Sequence, residues 1–156
     1  LDLVYLSMKS IIAVNNLGYI GLKDGLPWHS KADFKHFKDM TMGGNLLVGS
    51  TTAATLPQLK GRTIIIAHRD TVFHNIINDD NTNEFWVLNN KKTEFVKIDW
   101  CIGGKMTYER FCPYFTELHI SHINDNTIGD TGFPILNLLS TNCKIFNYNF
   151  DVDLVE

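Results

Sequence analysis

Short β-type runs separated by helical periodicities constrain this chain more than any other feature. Apolar, β-branched stretches recur at 10–14, 45–48, 63–67, 84–88, 98–102, 117–123 and 144–150, the last running on toward 155. Helical patterns occupy several of the gaps: 30–41, briefly 51–56, and 105–114, where Met106, Tyr108 and Phe111 can face inward. Strands alternating with helices predict an α/β domain on a mostly parallel sheet, with antiparallel pairing open to the last strands. A chain of 156 residues that is 44% hydrophobic, with 10 Phe, 5 Tyr and 3 Trp, can bury one core without covalent staples.

The formal charge of -3 gives no general pull toward nucleic acid or an acidic membrane, so an anionic ligand must be held by local groups. Cys101, Cys112 and Cys143 are an odd number without metal-ligand spacing, each in an apolar context such as Trp100-Cys101-Ile102. They read as buried reduced thiols, which places the protein in the cytoplasm. His29, His36, His119 and His122 read by default as surface or satisfied structural residues, and none has a spacing partner for a metal. No run of about 18 apolar residues offers a membrane span, and residues 1–7 lack the marks of a signal peptide. Met8 precedes the first strand pattern, so the fold is expected to occupy 8–156 with 1–7 as an N-terminal extension.

Asp33 falls inside the apolar face of helix 30–41. At roughly 100° per residue, Phe37 lies about 40° and Met40 about 20° from it, while Lys31, Lys35, Lys38 and Asp39 fall on the other side. A carboxylate aimed into an apolar cleft is costly without a partner, which points to a ligand that is cationic or rich in N–H donors. Ser30-x-x-Asp33 also fits a capping box, in which Asp33 only satisfies the helix start. The polar, glycine-punctuated stretch 15–29 has the character of a binding loop or lid, and 68–83 is the other irregular stretch.

Gly103-Gly104 closes one strand and opens a helix, and Gly49-Ser50-Thr51-Thr52 does the same on another. Bare backbone and helix N–H groups at two such turns suit an extended ligand with more than one phosphate. Gly44-x-x-x-x-Gly49 lacks the Lys of a phosphate loop, which excludes nucleoside triphosphate hydrolysis. Arg62, before strand 63–67, is either a solvated turn cation or a bidentate grip for a substrate carboxylate.

In this order these pieces resemble dihydrofolate reductase. The resemblance is carried by Ile11-Ile-Ala-Val14, Gly18-Tyr-Ile-Gly21, Leu26-Pro-Trp28, Asp33-Phe-Lys-His-Phe-Lys38 with Thr41, and Val48-Gly49 with Thr52. It continues through Leu56-Pro57, Gly61-Arg62-Thr63, Cys101-Ile-Gly-Gly104, Tyr108-Glu109, Ser121-His-Ile123 and Gly129-Asp130-Thr131-x-Phe133-Pro134. Nearly everything from Met8 to the end is covered, and Leu-Pro-Trp followed by Asp33 and a later Ile-Gly-Gly is a specific combination. The resemblance implies a single domain whose central twisted sheet has about eight strands, the last antiparallel, flanked by helices.

It places Asp33 under a pterin ring, accepting from N3 and the 2-amino group, with the Ser121 hydroxyl supporting it, Trp28 ordering a water and Leu26 shielding the reacting ring. Ile12, Ala13, Phe34, Phe37, Leu56, Ile102 and Tyr108 would line the folate pocket, and Arg62 would clasp the α-carboxylate. Val14, Ile20 and Gly21 would border the nicotinamide. Gly49, Ser50, Thr51, Thr52, Gly103, Gly104, Lys105, Met106, Tyr108 and Thr131 would lie along the dinucleotide. Arg69, aided by His68 and Lys105, is the best cation for a 2′-phosphate.

The implied activity is NADPH-dependent reduction of dihydrofolate to tetrahydrofolate, with hydride transfer to C6 and protonation at N5. The implied protein is a monomer or homodimer that takes small molecules and no metal, nucleic acid or membrane. Three features depart from the family pattern: Ser50-Thr51 replaces a common basic pair, Lys105 replaces a third glycine, and the segment before Ile98 is short and shows no helix. Two other readings stay open. A pterin or pyrimidine reductase on the same scaffold would have no need of Arg62, and a catalytically weak homologue acting as a binding or assembly component would tolerate Ser50-Thr51.

Overall fold

The computed structural model describes residues 8–22, 25–77, 83–89, 94–134, 138 and 143–154; the segment 1–7 read as an extension lies outside them. In chain order the first elements are β1 (Met8–Asn15), β2 (Tyr19–Gly21), α1 (Lys31–Thr41), β3 (Asn45–Gly49), α2 (Ser50–Ala53) and β4 (Thr63–Ala67). Then come β5 (Phe73–Ile77), β6 (Asn83–Asn89), β7 (Glu94–Lys97), β8 (Trp100–Cys101) and α3 (Lys105–Phe111) with a 3-10 turn at Cys112–Tyr114. β9 (Phe115–Asn124), β10 (Thr131–Gly132) and β11 (Lys144–Asp151) complete the series.

Six strands form one sheet in the order β11-β9-β1-β8-β3-β4, and every neighbouring pair in it is parallel. The chain leaves β1 for β3 in one direction along this sheet and leaves β8 for β9 in the other. Right-handed crossovers then put α1 and α3 on opposite faces. The core obeys: Ile11, Leu46 and Trp100 pack with Phe37 and Met40 of α1, whereas Ile12, Val14, Leu47 and Ile120 pack with Tyr108 and Phe111 of α3. β1 is therefore apolar on both sides, as a central parallel strand must be. Between β1 and β8 the strand order reverses, and a crevice opens there at the carboxyl ends of the strands.

Several expectations are corrected. β11 runs parallel to β9, with Lys144 opposite Glu117 through Asp151 opposite Asn124, and is not antiparallel. The connection between them exceeds the roughly one dozen residues that a parallel crossover requires. Among the described residues the main sheet has six strands and not about eight, because 84–88 pairs elsewhere: β6 lies between β5 and β7 in a separate three-stranded antiparallel sheet. β5 itself falls in the stretch read as irregular. Its Phe73 stacks on Phe85 at 5.2 Å, and Phe85 meets Phe111 edge-on at 5.9 Å, which ties this small sheet to the core.

Met106 is 82% exposed instead of inward. It stands about 200° around α3 from Tyr108, whereas Tyr108 and Phe111 are separated by about 60°. Cys101 and Cys112 are buried thiols, but Cys143 is only half-buried. Among the described residues no helix is long and apolar enough to cross a membrane.

Candidate active site

Ser30 starts α1 and also ties it to the sheet. Its Oγ accepts from the Asp33 N–H at 3.2 Å and donates to the Asp151 carbonyl at 2.6 Å. The cap is real, but it occupies the backbone of Asp33 and leaves the carboxylate for another task. The Ser121 side chain of β9 lies on that carboxylate's side and favours its charged form. Ser121 stands opposite Ala13 of β1 in the sheet register, so α1 lays its acid across two adjacent strands. Asp33 is 6% exposed. Burial raises its pKa above the ordinary value, and Ser121 offsets only part of that rise.

Asp33 lines a cleft of about 620 Å³. Ile12 and Ala13 of β1, Ser121 of β9, and Phe34 and Phe37 of α1 line it. Ile102, Gly104, Tyr108, Thr52, Leu56 and Arg62 line it too, as do Ile20 of β2 and Leu26 and Trp28 of the loop before α1. Leu26 is 45% exposed, as a lid residue can be, and Trp28 is buried with Nε1 lacking a protein partner. Tyr108 donates from Oη to the Ile11 carbonyl at 2.6 Å. Burial first, then Cys101 and Asp33, hold this phenol well above its ordinary pKa, so it stays a neutral donor.

Arg62 is braced before any ligand arrives. Its Nε donates to the Lys60 carbonyl at 3.1 Å, Nη1 to Thr41 Oγ1 at 3.4 Å, and the guanidinium lies 5.9 Å from the Phe37 ring centre. Lys38 also lines the cleft, although the helical pattern put it on the outer side. Its long stem reaches back over apolar surface, and its position four residues after Phe34 was the signal available in the sequence. Ile11, Thr55, Pro57 and Leu59 are further lining residues that sequence reasoning missed.

The two glycine turns meet each other. The Gly49 N–H donates to the Gly103 carbonyl at 2.7 Å. A Cβ on Gly49 would stand 2.5 Å from Thr107 Oγ1, and one on Gly104 would stand 2.8 Å from Thr52 Oγ1. Gly103 has φ 113, a conformation that side chains disfavour. Neither α2 nor α3 has a side-chain cap, which leaves the opening N–H groups at Ser50-Thr51 and at Lys105-Met106 for another acceptor. Gly49 pairs with Ala67, so Ser50 and His68 follow adjacent strand ends, with exposed Arg69 next in the chain. Glycine backbone, uncapped helix starts and a nearby cation together fit the phosphates of a dinucleotide. Val14 stands off the cleft in the core, and Gly21 and Thr131 pair β2 with β10.

Comparison with known proteins places these features in a family. Residues 7–148 match the family model described as dihydrofolate reductase. The chain is 32% identical over 138 residues to the dihydrofolate reductase type 9 of Escherichia coli, covering 80% of this chain and 75% of that protein. It is 25% identical to the dihydrofolate reductase of Buchnera aphidicola subsp. Acyrthosiphon pisum, over 97% of this chain and 99% of the other. The fold is similar to that of the dihydrofolate reductase from Enterococcus faecalis complexed with NADP(H) and RAB-propyl. That match has a TM-score of 0.59 at 24% identity and covers 85% of this chain and 80% of that one.

Proposed function

The chain belongs to the dihydrofolate reductase family, and on that footing we propose that it is an NADPH-dependent dihydrofolate reductase. The observation that carries this reading is the buried Asp33 carboxylate, supported by Ser121, in an apolar cleft that the braced guanidinium of Arg62 also lines. An acid and a cation at separate places in one apolar cleft match a ligand with a donor-rich ring and an anionic tail. A pterin presents N3–H and a 2-amino group to Asp33, a benzoyl ring packs between Phe37 and Leu56, and a glutamate α-carboxylate meets Arg62.

Asp33 orients the ring, and Ile20, Leu26 and Trp28 exclude bulk water from the reacting face. The Gly49 and Gly103-Gly104 cradle suits the phosphates of NADPH, a cofactor of the kind bound in the Enterococcus faecalis structure. When bound, NADPH supplies the hydride that the pterin C6 receives. The N5 proton is drawn from water. Cys101, whose pKa burial pushes up to about 12, stays a thiol, in keeping with a reducing cytoplasm.

The test is the loss of NADPH absorbance on addition of dihydrofolate, with tetrahydrofolate as the product. A homologue that only binds would take up NADPH without dihydrofolate-dependent oxidation. A reductase for tailless pterins or pyrimidines would be indifferent to the glutamate tail.

A further inference from the structure

α1 rests on the sheet through more than the Asp33–Ser121 contact. One turn further along the helix, His36 lies against β11, its ring centre 4.2 Å from that of Tyr148 and 5.2 Å from that of Phe150. β9 supplies the matching positions two residues apart, since His119 and Ser121 share one face of the strand. His119 is buried, and both of its nitrogens are engaged: Nε2 with Glu117 Oε1 at 2.8 Å and Nδ1 with Tyr148 Oη at 2.9 Å. A carboxylate only accepts, so Nε2 is assigned the hydrogen and Nδ1 accepts from the Tyr148 hydroxyl. The ring plane is fixed as well, stacked on Phe146 at 4.5 Å and 8° and edge-on to Trp100 at 5.2 Å. His36 and His119 do not line the cleft, so ligand contact does not explain them.

We infer that His119 and His36 are positioning residues for Asp33. The Glu117–His119–Tyr148 chain fixes the floor beneath α1, and His36 keys the helix to that floor so that the acid meets Ser121. The inference rests on the reading of Asp33 as the pterin-binding acid. Phe37 and Met40 pack α1 on the sheet, and the His36 ring contacts key it to Tyr148, whose hydroxyl the His119 network holds in one geometry.

The seat also limits charge. The charged and titratable groups around the two imidazoles come from four elements. On α1 itself, Asp39 and Lys35 are joined at 2.6 Å, and β9 contributes Glu117. β11 contributes Tyr148 and Lys144, the latter 5.8 Å from the Phe146 ring centre, and Lys9 of β1 lies 5.2 Å from the Trp100 ring centre. His36 Nε2 is buried without a partner. Burial holds the His36 pKa below its ordinary value, and a charge on His119 pushes it the same way, against a smaller upward pull from Asp39. Protonation of His36 therefore costs more in this seat than in water, and acidification loosens the contact of α1 with the strands beneath it.

Two substitutions separate the parts in the full chain. His119→Phe keeps the stack on Phe146 and removes both hydrogen bonds; His36→Phe keeps the ring contacts and removes the titrating group. His119→Phe is expected to raise KM for dihydrofolate about tenfold, with a smaller change in kcat and an unchanged NADPH Kd. Dihydrofolate affinity of wild type is expected to fall on acidification, and His36→Phe to weaken that fall. Titration of the Asp33 carboxyl by carbon NMR without ligand supplies a reading independent of turnover, and its midpoint is expected to move in His119→Phe. If wild type fails to reduce dihydrofolate, the reductase reading falls, and that titration alone decides the positioning role. An Asp33 midpoint and α1 amide shifts that match wild type in both variants overturn the inference. If His119→Phe does not fold, His119→Gln takes its place beside His36→Phe, and the same midpoint and amide shifts uphold or overturn the positioning role.

Discussion

Asp33 joins two opposite tendencies in one side chain. Its pKa is raised by burial, so the folded state disfavours the charged form. The associated stability is present below the ordinary carboxylate value and is lost as pH rises through the higher folded value. Ligand-free Asp33→Asn should therefore be more stable than wild type at pH 7 in urea unfolding, an advantage that vanishes below about pH 4. Turnover of dihydrofolate by the same variant should fall at least about a hundredfold near neutral pH. A variant that is less stable yet fully active would return Asp33 to a capping role. Arg62→Leu should weaken dihydrofolate binding by roughly 2–4 kcal/mol while leaving NADPH binding unchanged. A pterin without the glutamate tail should bind both forms equally, and an equal loss for that ligand would indicate a different role. Asp33 was readable from helical periodicity, and Ser30 from the cap pattern. Ser121, distant in sequence, was reachable only through resemblance. The partners of His36 and His119 were not readable, because they depend on which strand lies beside β9.

Elements were readable where the evidence for them is local. The helix starts and both glycine turns follow from short patterns, and the meeting of Gly49 with Gly103 follows from parallel strands ending at one level. The direction of β11 and the separate sheet of β5, β6 and β7 are choices of non-local pairing, on which side-chain alternation is silent. On the proposed function, the turn after β4 supplies the cation that Ser50-Thr51 does not. The His68 N–H donates to Thr71 Oγ1 at 2.6 Å, and Arg110 donates to the carbonyls of His68 at 2.7 Å and Thr71 at 3.2 Å. These bonds hold the turn that carries exposed Arg69. Arg69→Ala should lower NADPH affinity and leave NADH affinity almost untouched, and the wild-type preference should weaken with salt as an exposed charge contact does. Dissociation constants for both nucleotides decide this. A mutant that keeps the full preference passes the role to Lys105 or to the Ser50-Thr51 turn.

At the scale of the whole molecule, the cleft draws on both helical layers: Asp33 and Phe37 come from α1 on one face of the sheet, Tyr108 from α3 on the other. A ligand that fills it binds the folded state and has no counterpart in the unfolded chain. The small antiparallel sheet joins the same core through Phe85 and Phe111, so one cooperative transition is expected on heating. NADPH at about a hundred times its Kd should then stabilise the fold by about 2.7 kcal/mol. For a domain of this size each kcal/mol raises Tm by about 2–4 °C, so calorimetry resolves the effect. NADH at the same concentration should shift Tm less, because Arg69 and the turn it sits on gain nothing from it. If Asp33 is the pterin-binding acid, dihydrofolate should raise the Tm of wild type more than that of Asp33→Asn. If NADPH stabilises wild type and Asp33→Asn equally while dihydrofolate stabilises neither, the fold serves as a nucleotide-binding homologue and not as a reductase.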